Sequence, residues 1–327
     1  MDVFDLTIIG SGPTGLFAAF YAGMREMKTK VIESLPEPGG QLATLYPEKF
    51  IYDSPGYSKI LAKNLVKNLL DQTSRFNPTL LFNERALSID RPRGDIIKVE
   101  TDKNVHVTKN LLITAGIGAF SPNKLNSPGV EKFEGNGVFY HVKNKDDFRG
   151  KRILIVGGGD TALDWALFFE NWSKEVVIIH RRDVFRAHES SVKEIFSSGI
   201  VIKLFWELKE LHGDKSIEGA TILNSKTKEE QYLSIDSVLI SIGFKADLGP
   251  IKTWGLDIEG RSIKVNGNME TNMNGVFAAG DVAKQNDVVK LGLIATGFAQ
   301  AAVAVAVAKK RLDPVAPLFE HSSDKNF

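Results

Sequence analysis

No cysteine occurs among the 327 residues. That absence removes disulfide frameworks, thiolate metal sites, cysteine-ligated iron–sulfur clusters and every cysteine nucleophile. Neither sign of charge is in excess: 41 Lys+Arg against 40 Asp+Glu leave a formal charge of +1, too balanced for a whole-chain nucleic-acid or polybasic membrane binder. No signal or transit peptide is expected, because MDVFDLTIIG runs into a strand pattern with no basic region before it, so a cytoplasmic protein is expected. The one long apolar run, Leu291 to Ala308, contains Thr296, Gly297 and Gln300 and is poor in Leu, Ile and Phe. It suits a helix buried in a core better than a membrane span. The histidines have no metal-ligand spacing with neighbouring acids, so no metal is expected, and neither a G-x-S-x-G elbow nor a Walker A loop is present.

What the chain does have is a length suited to about two domains and an ordinary globular composition, 43% hydrophobic and 25% charged. A strand leading into a glycine-rich turn occurs twice. In the first copy Asp5 to Ile9 is the strand, GSGPTG the turn, Leu16 to Met27 helical in spacing, and Thr29 to Glu33 a returning strand. In the second, RILIV (from Arg152), GGGDTA, Ala162 to Trp172 and EVVIIH (from Glu175) repeat the order. Both read as βαβ units, which makes the protein α/β with two Rossmann-like domains. The apolar runs LLITAG (Leu111 to Gly116) and VLISIG (Val238 to Gly243) look like two crossings between them. The expectation is a discontinuous outer domain, 1–117 and 245–327, with 118–244 inserted and residues 312–327 an extended tail enforced by Pro314 and Pro317.

Gly10, Gly12 and Gly15 match G-x-G-x-x-G: the first permits the tight turn, the second admits a pyrophosphate to the backbone, and the third lets helix pack on strand. Glu33 ends the returning strand, where a carboxylate accepts the hydroxyls of an adenosine ribose. The second fingerprint is Gly157, Gly159 and Ala162, and its returning strand runs into HRRDVFRAH. Arg181, Arg182 and Arg186 suit a ribose 2′-phosphate, so this half is expected to prefer NADP over NAD. Asp281, in GVFAAGDV, follows a short apolar strand and a glycine. Beside two dinucleotide fingerprints it suits a hydrogen bond to a flavin's ribityl chain, with the helix from Leu291 onward aiming its N-terminus at the flavin.

The succession GSGPTG, Glu33, GGQL (Gly39 to Leu42), TAG (Thr114 to Gly116), GGGDTA, HRRDxFRA and GVFAAGD covers nearly the whole chain. It resembles the two-dinucleotide-binding flavoproteins typified by low-molecular-weight thioredoxin reductase. That enzyme carries a Cys-x-x-Cys just upstream of the second fingerprint, where this chain reads YHVKNKDDFRGK (Tyr140 to Lys151), so disulfide reduction through a protein dithiol is excluded. The cysteine-free branch, ferredoxin (flavodoxin)–NADP reductase of the thioredoxin-reductase-like type, is similar in further detail: ESLPEPGGQL, LYPEK, WGLDIEGRSIKVNGNMETN and an extension past the last helix.

The resemblance implies FAD held by Gly10, Gly12, Pro13, Thr14, Gly15, Glu33, Gly40, Gln41, Leu42, Tyr46, Ala86, Ala115, Gly116, Phe120, Asp281, Thr296 and Ser322. NADPH would be held by Gly157, Gly159, Asp160, Thr161, Ala162, Arg181, Arg182 and Arg186. Tyr46 and His321 would stack on the isoalloxazine, with no side-chain acid or base required. The implied partners are ferredoxin or flavodoxin and a second copy in a homodimer, with no nucleic acid and no membrane. Lys59, Lys63 and Lys67, spaced by four, would share a helix face open to an acidic carrier. The residues leave two other functions open: an NADPH oxidase or oxygenase, and a non-catalytic flavoprotein that senses NADPH.

Overall fold

The computed structural model describes residues 2–91, 96–286 and 288–317, with residues 119–121 described in their backbone only. The chain divides into two compact units, Met1–Ala119 with Ala246–Phe327, and Phe120–Lys245.

The first unit opens with β1 (Val3–Ile9), α1 (Pro13–Met24) and β2 (Thr29–Ile32). Four consecutive buried residues in each strand fit parallel strands covered on both faces. Pro13 at the helix start costs no hydrogen bond, since that N–H has no intrahelical partner. Leu16, Ala18, Ala19 and Ala22 are buried, and the small side chains let α1 lie close to its neighbours. There follow α2 (Gln41–Thr44), β3 (Phe50–Ile51), β4 (Ile60–Leu61), α3 (Ala62–Ser74), β5 (Thr79–Leu81), β6 (Ala86–Asp90), β7 (Ile97–Thr101) and β8 (Val105–Ile113). The expected helix near Ile60 begins two residues later, because Ile60 and Leu61 pair antiparallel with Ile51 and Phe50. Lys59 therefore lies outside α3, its ammonium over the Phe50 ring, and the expected stripe of three lysines reduces to Lys63, which pairs with Glu48, and Lys67.

The second unit takes β9 (Ala119–Pro122), β10 (Val138–Phe139), β11 (Arg152–Gly157), α4 (Asp160–Glu170), β12 (Glu175–His180), α5 (Glu189–Phe196) and β13 (Val201–Leu204). Strands β14 (Trp206–His212), β15 (Gly219–Asn224) and β16 (Glu230–Leu233) form an antiparallel meander before β17 (Ser237–Ser241). Its main sheet is parallel, in the order β10-β17-β11-β12-β13. One face is filled by α4, whose Trp165, Ala166 and Phe169 pack with Ile153, Ile155 and Ile178.

The chain returns through β18 (Phe244–Asp247), β19 (Ile258–Glu259), β20 (Ser262–Val265), β21 (Val276–Ala278) and β22 (Ala283–Gln285) to α6 (Ile294–Leu312). The main sheet of the first unit runs β5-β2-β1-β8-β7-β6, with β21 pairing parallel to β8. Its α6 buries Gly297, Ala301, Ala304, Val305 and Ala308, a stripe of period three to four that joins the core over β1 and β8, and Lys309, Lys310 and Arg311 fill the last turn, where the dipole favours cations. Among the described residues no helix is long and apolar enough to cross a membrane.

Candidate dinucleotide sites

In the first unit the turn after β1 sits where neighbouring strands converge. Gly10 has φ +102, and a Cβ there would lie 2.6 Å from the Thr114 carbonyl oxygen. A Cβ on Gly15 would lie 2.0 Å from the Gly10 carbonyl oxygen, so helix and turn touch where the fingerprint requires glycine. At Gly12 the situation is opposite: nothing lies within 4 Å of where a Cβ would be, leaving room for a ligand against the backbone at the α1 N-terminus. The Thr114 hydroxyl donates to the carbonyls of Ile9 and Gly10, and the Gly39 N–H donates to the Ser11 carbonyl. Those bonds draw Thr114–Gly116 and Gly39–Leu42 onto the glycine turn, and the Gln41 amide approaches Gly116.

Glu33 follows β2 and is buried. Its carboxylate accepts from the Ser11 N–H at 2.8 Å and hydroxyl at 2.9 Å, and from the Leu35 N–H at 2.9 Å. The Glu84 N–H donates to the Glu33 carbonyl, which brings the strand bearing Ala86 alongside. On the other side of β1, Asp281 follows β21, and Gly280 and Gly297 lie against Thr14 of α1. Strand order therefore sets the parts in a row: Glu33 beyond β2, the glycine turn beyond β1, Thr114–Gly116 beyond β8 and Asp281 beyond β21.

Tyr46 completes that end. Burial, then the charges of Asp281 and Asp53, push its hydroxyl up to about 12. The half-buried Asp281 carboxylate has no hydrogen-bond partner among the described residues. The helix expected from Leu291 starts at Ile294, after an extended Leu293. Sequence reasoning missed the residue at that end: Asp53 accepts from the Ile294 N–H at 2.7 Å through its carboxylate and from the Ala295 N–H at 3.2 Å through its carbonyl. No signal in the sequence links positions so far apart.

An unpartnered acceptor at Asp281, open space at Gly12 and a buried carboxylate at the end of β2 fit an extended dinucleotide carrying a flavin. Ser322 and His321 lie outside the described residues, as does the side chain of Phe120.

In the second unit the same design recurs with different chemistry. Gly159 caps α4 and bridges to Arg186, whose N–H donates to the Gly158 carbonyl. The Asp160 carboxylate accepts the His188 N–H at 2.8 Å, so it fastens the arginine loop to the turn. Thr161 is exposed at the helix start, and Ala162 is buried against the sheet. Arg181, Arg182 and Arg186 are all exposed, and none has an acidic partner among the described residues. The His180 ring lies against Gly158; burial lowers its pKa, and the three guanidinium charges lower it further. Free cations beside a glycine turn suit a phosphate on the ribose.

Two dinucleotide folds, one inserted in the other, with a flavin-type cradle in the first and an arginine-lined turn in the second, define a two-site pyridine nucleotide flavoprotein. The chain belongs to the pyridine nucleotide-disulphide oxidoreductase family, whose pattern matches residues 4–308. It is 53% identical over 322 residues to ferredoxin–NADP reductase 1 of Sulfolobus acidocaldarius, covering 98% of each chain. It is 46% identical over 327 residues to ferredoxin–NADP reductase 2 of Shouchella clausii, covering 100% of this chain and 98% of that one. Among solved structures, Lactococcus lactis thioredoxin reductase matches with a TM-score of 0.79 at 30% identity, covering 95% of this chain and 100% of that one.

Proposed function

We propose that the protein is an FAD-dependent reductase that exchanges electrons between NADPH and a small one-electron carrier, ferredoxin or flavodoxin. The observation that carries this reading is the pair of unlike dinucleotide cradles in a chain without cysteine, full-length similar to relatives named ferredoxin–NADP reductases. The first unit holds FAD: Glu33 takes the adenosine ribose, Gly10 to Gly15 with the α1 N-terminus take the pyrophosphate, and Gln41, Gly116, Asp281 and Thr296 take the flavin half. Bound FAD supplies the exchange between a two-electron hydride donor and single electrons. The chain's own residues bind and orient. Tyr46, kept neutral by burial, offers a ring face without adding charge. Arg181, Arg182 and Arg186 select the phosphorylated nicotinamide cofactor.

We extend this reading to a homodimer, the state that the family resemblance implies. The Arg25 guanidinium, at the C-terminal end of α1, donates to the Pro317 carbonyl at 2.7 Å.

The test is anaerobic rapid mixing with NADPH, then with ferredoxin or flavodoxin. Flavin bleaching by NADPH and recovery at many turnovers per second on adding carrier is the expected result. Reoxidation by oxygen alone at the same rate rejects the carrier.

A further inference from the structure

The N-terminus of α6 is handled unlike that of α1 or α4. Those two helices begin at glycines whose side-chain-free ends leave their first N–H groups for a ligand. At α6 a carboxylate from a strand-loop 241 residues away occupies the end instead, with Asp53 Oδ2 on the Ile294 N–H. The Asp53 carbonyl takes the Ala295 N–H and the Leu293 carbonyl takes that of Gly297. The Thr296 N–H has no protein partner among the described residues. The first turn of α6 contacts the Gly280–Val282 turn that bears the unpartnered Asp281 carboxylate, and Ile294 packs in the same apolar cluster as Tyr46, whose hydroxyl is pushed upward by burial and then by the charges of Asp281 and Asp53.

We infer that Asp53 is a positioning residue that sets the reduction potential of the flavin. The inference rests on the FAD reading of the first unit. A helix N-terminus carries roughly half a positive charge, and an ionised carboxylate directly on it carries a full negative one, so the sign of that end is reversed. A flavin gains negative charge on reduction. With Asp53 ionised, the α6 end ceases to favour that gain and the bound flavin becomes a stronger reductant, as a donor to a low-potential carrier must be. The two Asp53 bonds occupy the Ile294 and Ala295 donors, so the ring meets a helix end already neutralised and not a bare one. No other charged group is bonded to this first turn among the described residues. The Lys290 ammonium donates to the Ser262 hydroxyl and the Asp281 carbonyl.

The test uses the FAD-loaded full chain with Asp53→Asn and Asp53→Ser. Each keeps an acceptor for the Ile294 N–H and removes the charge. The readouts are FAD content, melting temperature and the two-electron midpoint potential from dye-equilibrated titration. Both variants are expected to retain FAD and to shift the potential upward by a factor of ten or more in the reduction equilibrium, about 30 mV for two electrons. A purely structural cap would change the melting temperature in both and leave the potential in place. A shift of less than twofold in either folded, flavin-loaded variant overturns the inference. If the wild-type chain binds no flavin, the FAD reading itself has failed; if it binds flavin and the potential does not respond, only the role of Asp53 has.

Discussion

The arginine loop of the second unit yields the sharpest quantitative test. Arg181 and Arg182 follow β12 and are exposed, and no acidic side chain among the described residues competes for them, so removing them breaks no internal salt bridge. In complex with a 2′-phosphate each would make at least one charge-assisted hydrogen bond, worth roughly 1.5 to 3 kcal/mol. Their exposure to solvent argues for the lower end. Arg181→Ala with Arg182→Ala is therefore expected to cost about 3 kcal/mol in NADPH affinity, about 150-fold at 1.36 kcal/mol per decade, while Arg186 retains a residual preference. NADH, which lacks the phosphate, should bind within twofold of wild type. Titration calorimetry with NADP+ and NAD+ at two ionic strengths reads the difference, and the NADP+ loss should shrink at high salt. His180 offers an internal control: losing two nearby cations should raise its pKa toward the ordinary value, visible by NMR, while burial keeps it below. Equal losses for both nucleotides would refute the assignment.

Gly12→Ala should leave the apoprotein's melting temperature unchanged, since nothing lies within 4 Å of the added carbon, yet lower FAD content severely; unchanged FAD content would mean no pyrophosphate approaches there. Gly15→Ala, 2.0 Å from a backbone carbonyl, should instead destabilise the apoprotein in chemical denaturation. Tyr46 has its folded-state pKa raised from 10 to about 12, so stability is unaffected by its ionisation below pH 10 and falls as pH rises from 10 to 12. Two units correspond to about 2 to 3 kcal/mol, and Tyr46→Phe should flatten that part of the apoprotein's stability profile. Lys30→Met should cost about 2 kcal/mol in urea unfolding, because the buried Lys30 ammonium bonds His106 at 2.9 Å, and His106 in turn bonds the buried Glu84 at 2.6 Å. A change under 0.5 kcal/mol would mean the chain Lys30–His106–Glu84 contributes little.

Much of this was legible in the sequence because the chemistry is local. A glycine triplet between a strand and a helix specifies its own turn through steric contacts with its immediate neighbours, and both copies could be read from spacing alone. The arginines after β12 and the glutamate after β2 sit at the ends of short strands whose buried runs announce them. The missing cysteines needed only a count. What the tertiary structure decided is non-local. The antiparallel pair β3–β4 overrode the helical spacing around Ile60 and took Lys59 off the helix, because backbone pairing with Phe50 and Ile51 satisfies groups that no local pattern reveals. The order of strands put Asp281 across the glycine turn from Glu33. Asp53 reached the α6 N-terminus only because the folded sheet brings the segment after β3 beside residues more than two hundred positions later. A hydrogen bond between such positions leaves no period, spacing or composition in the sequence, since its partners meet only after the core has formed.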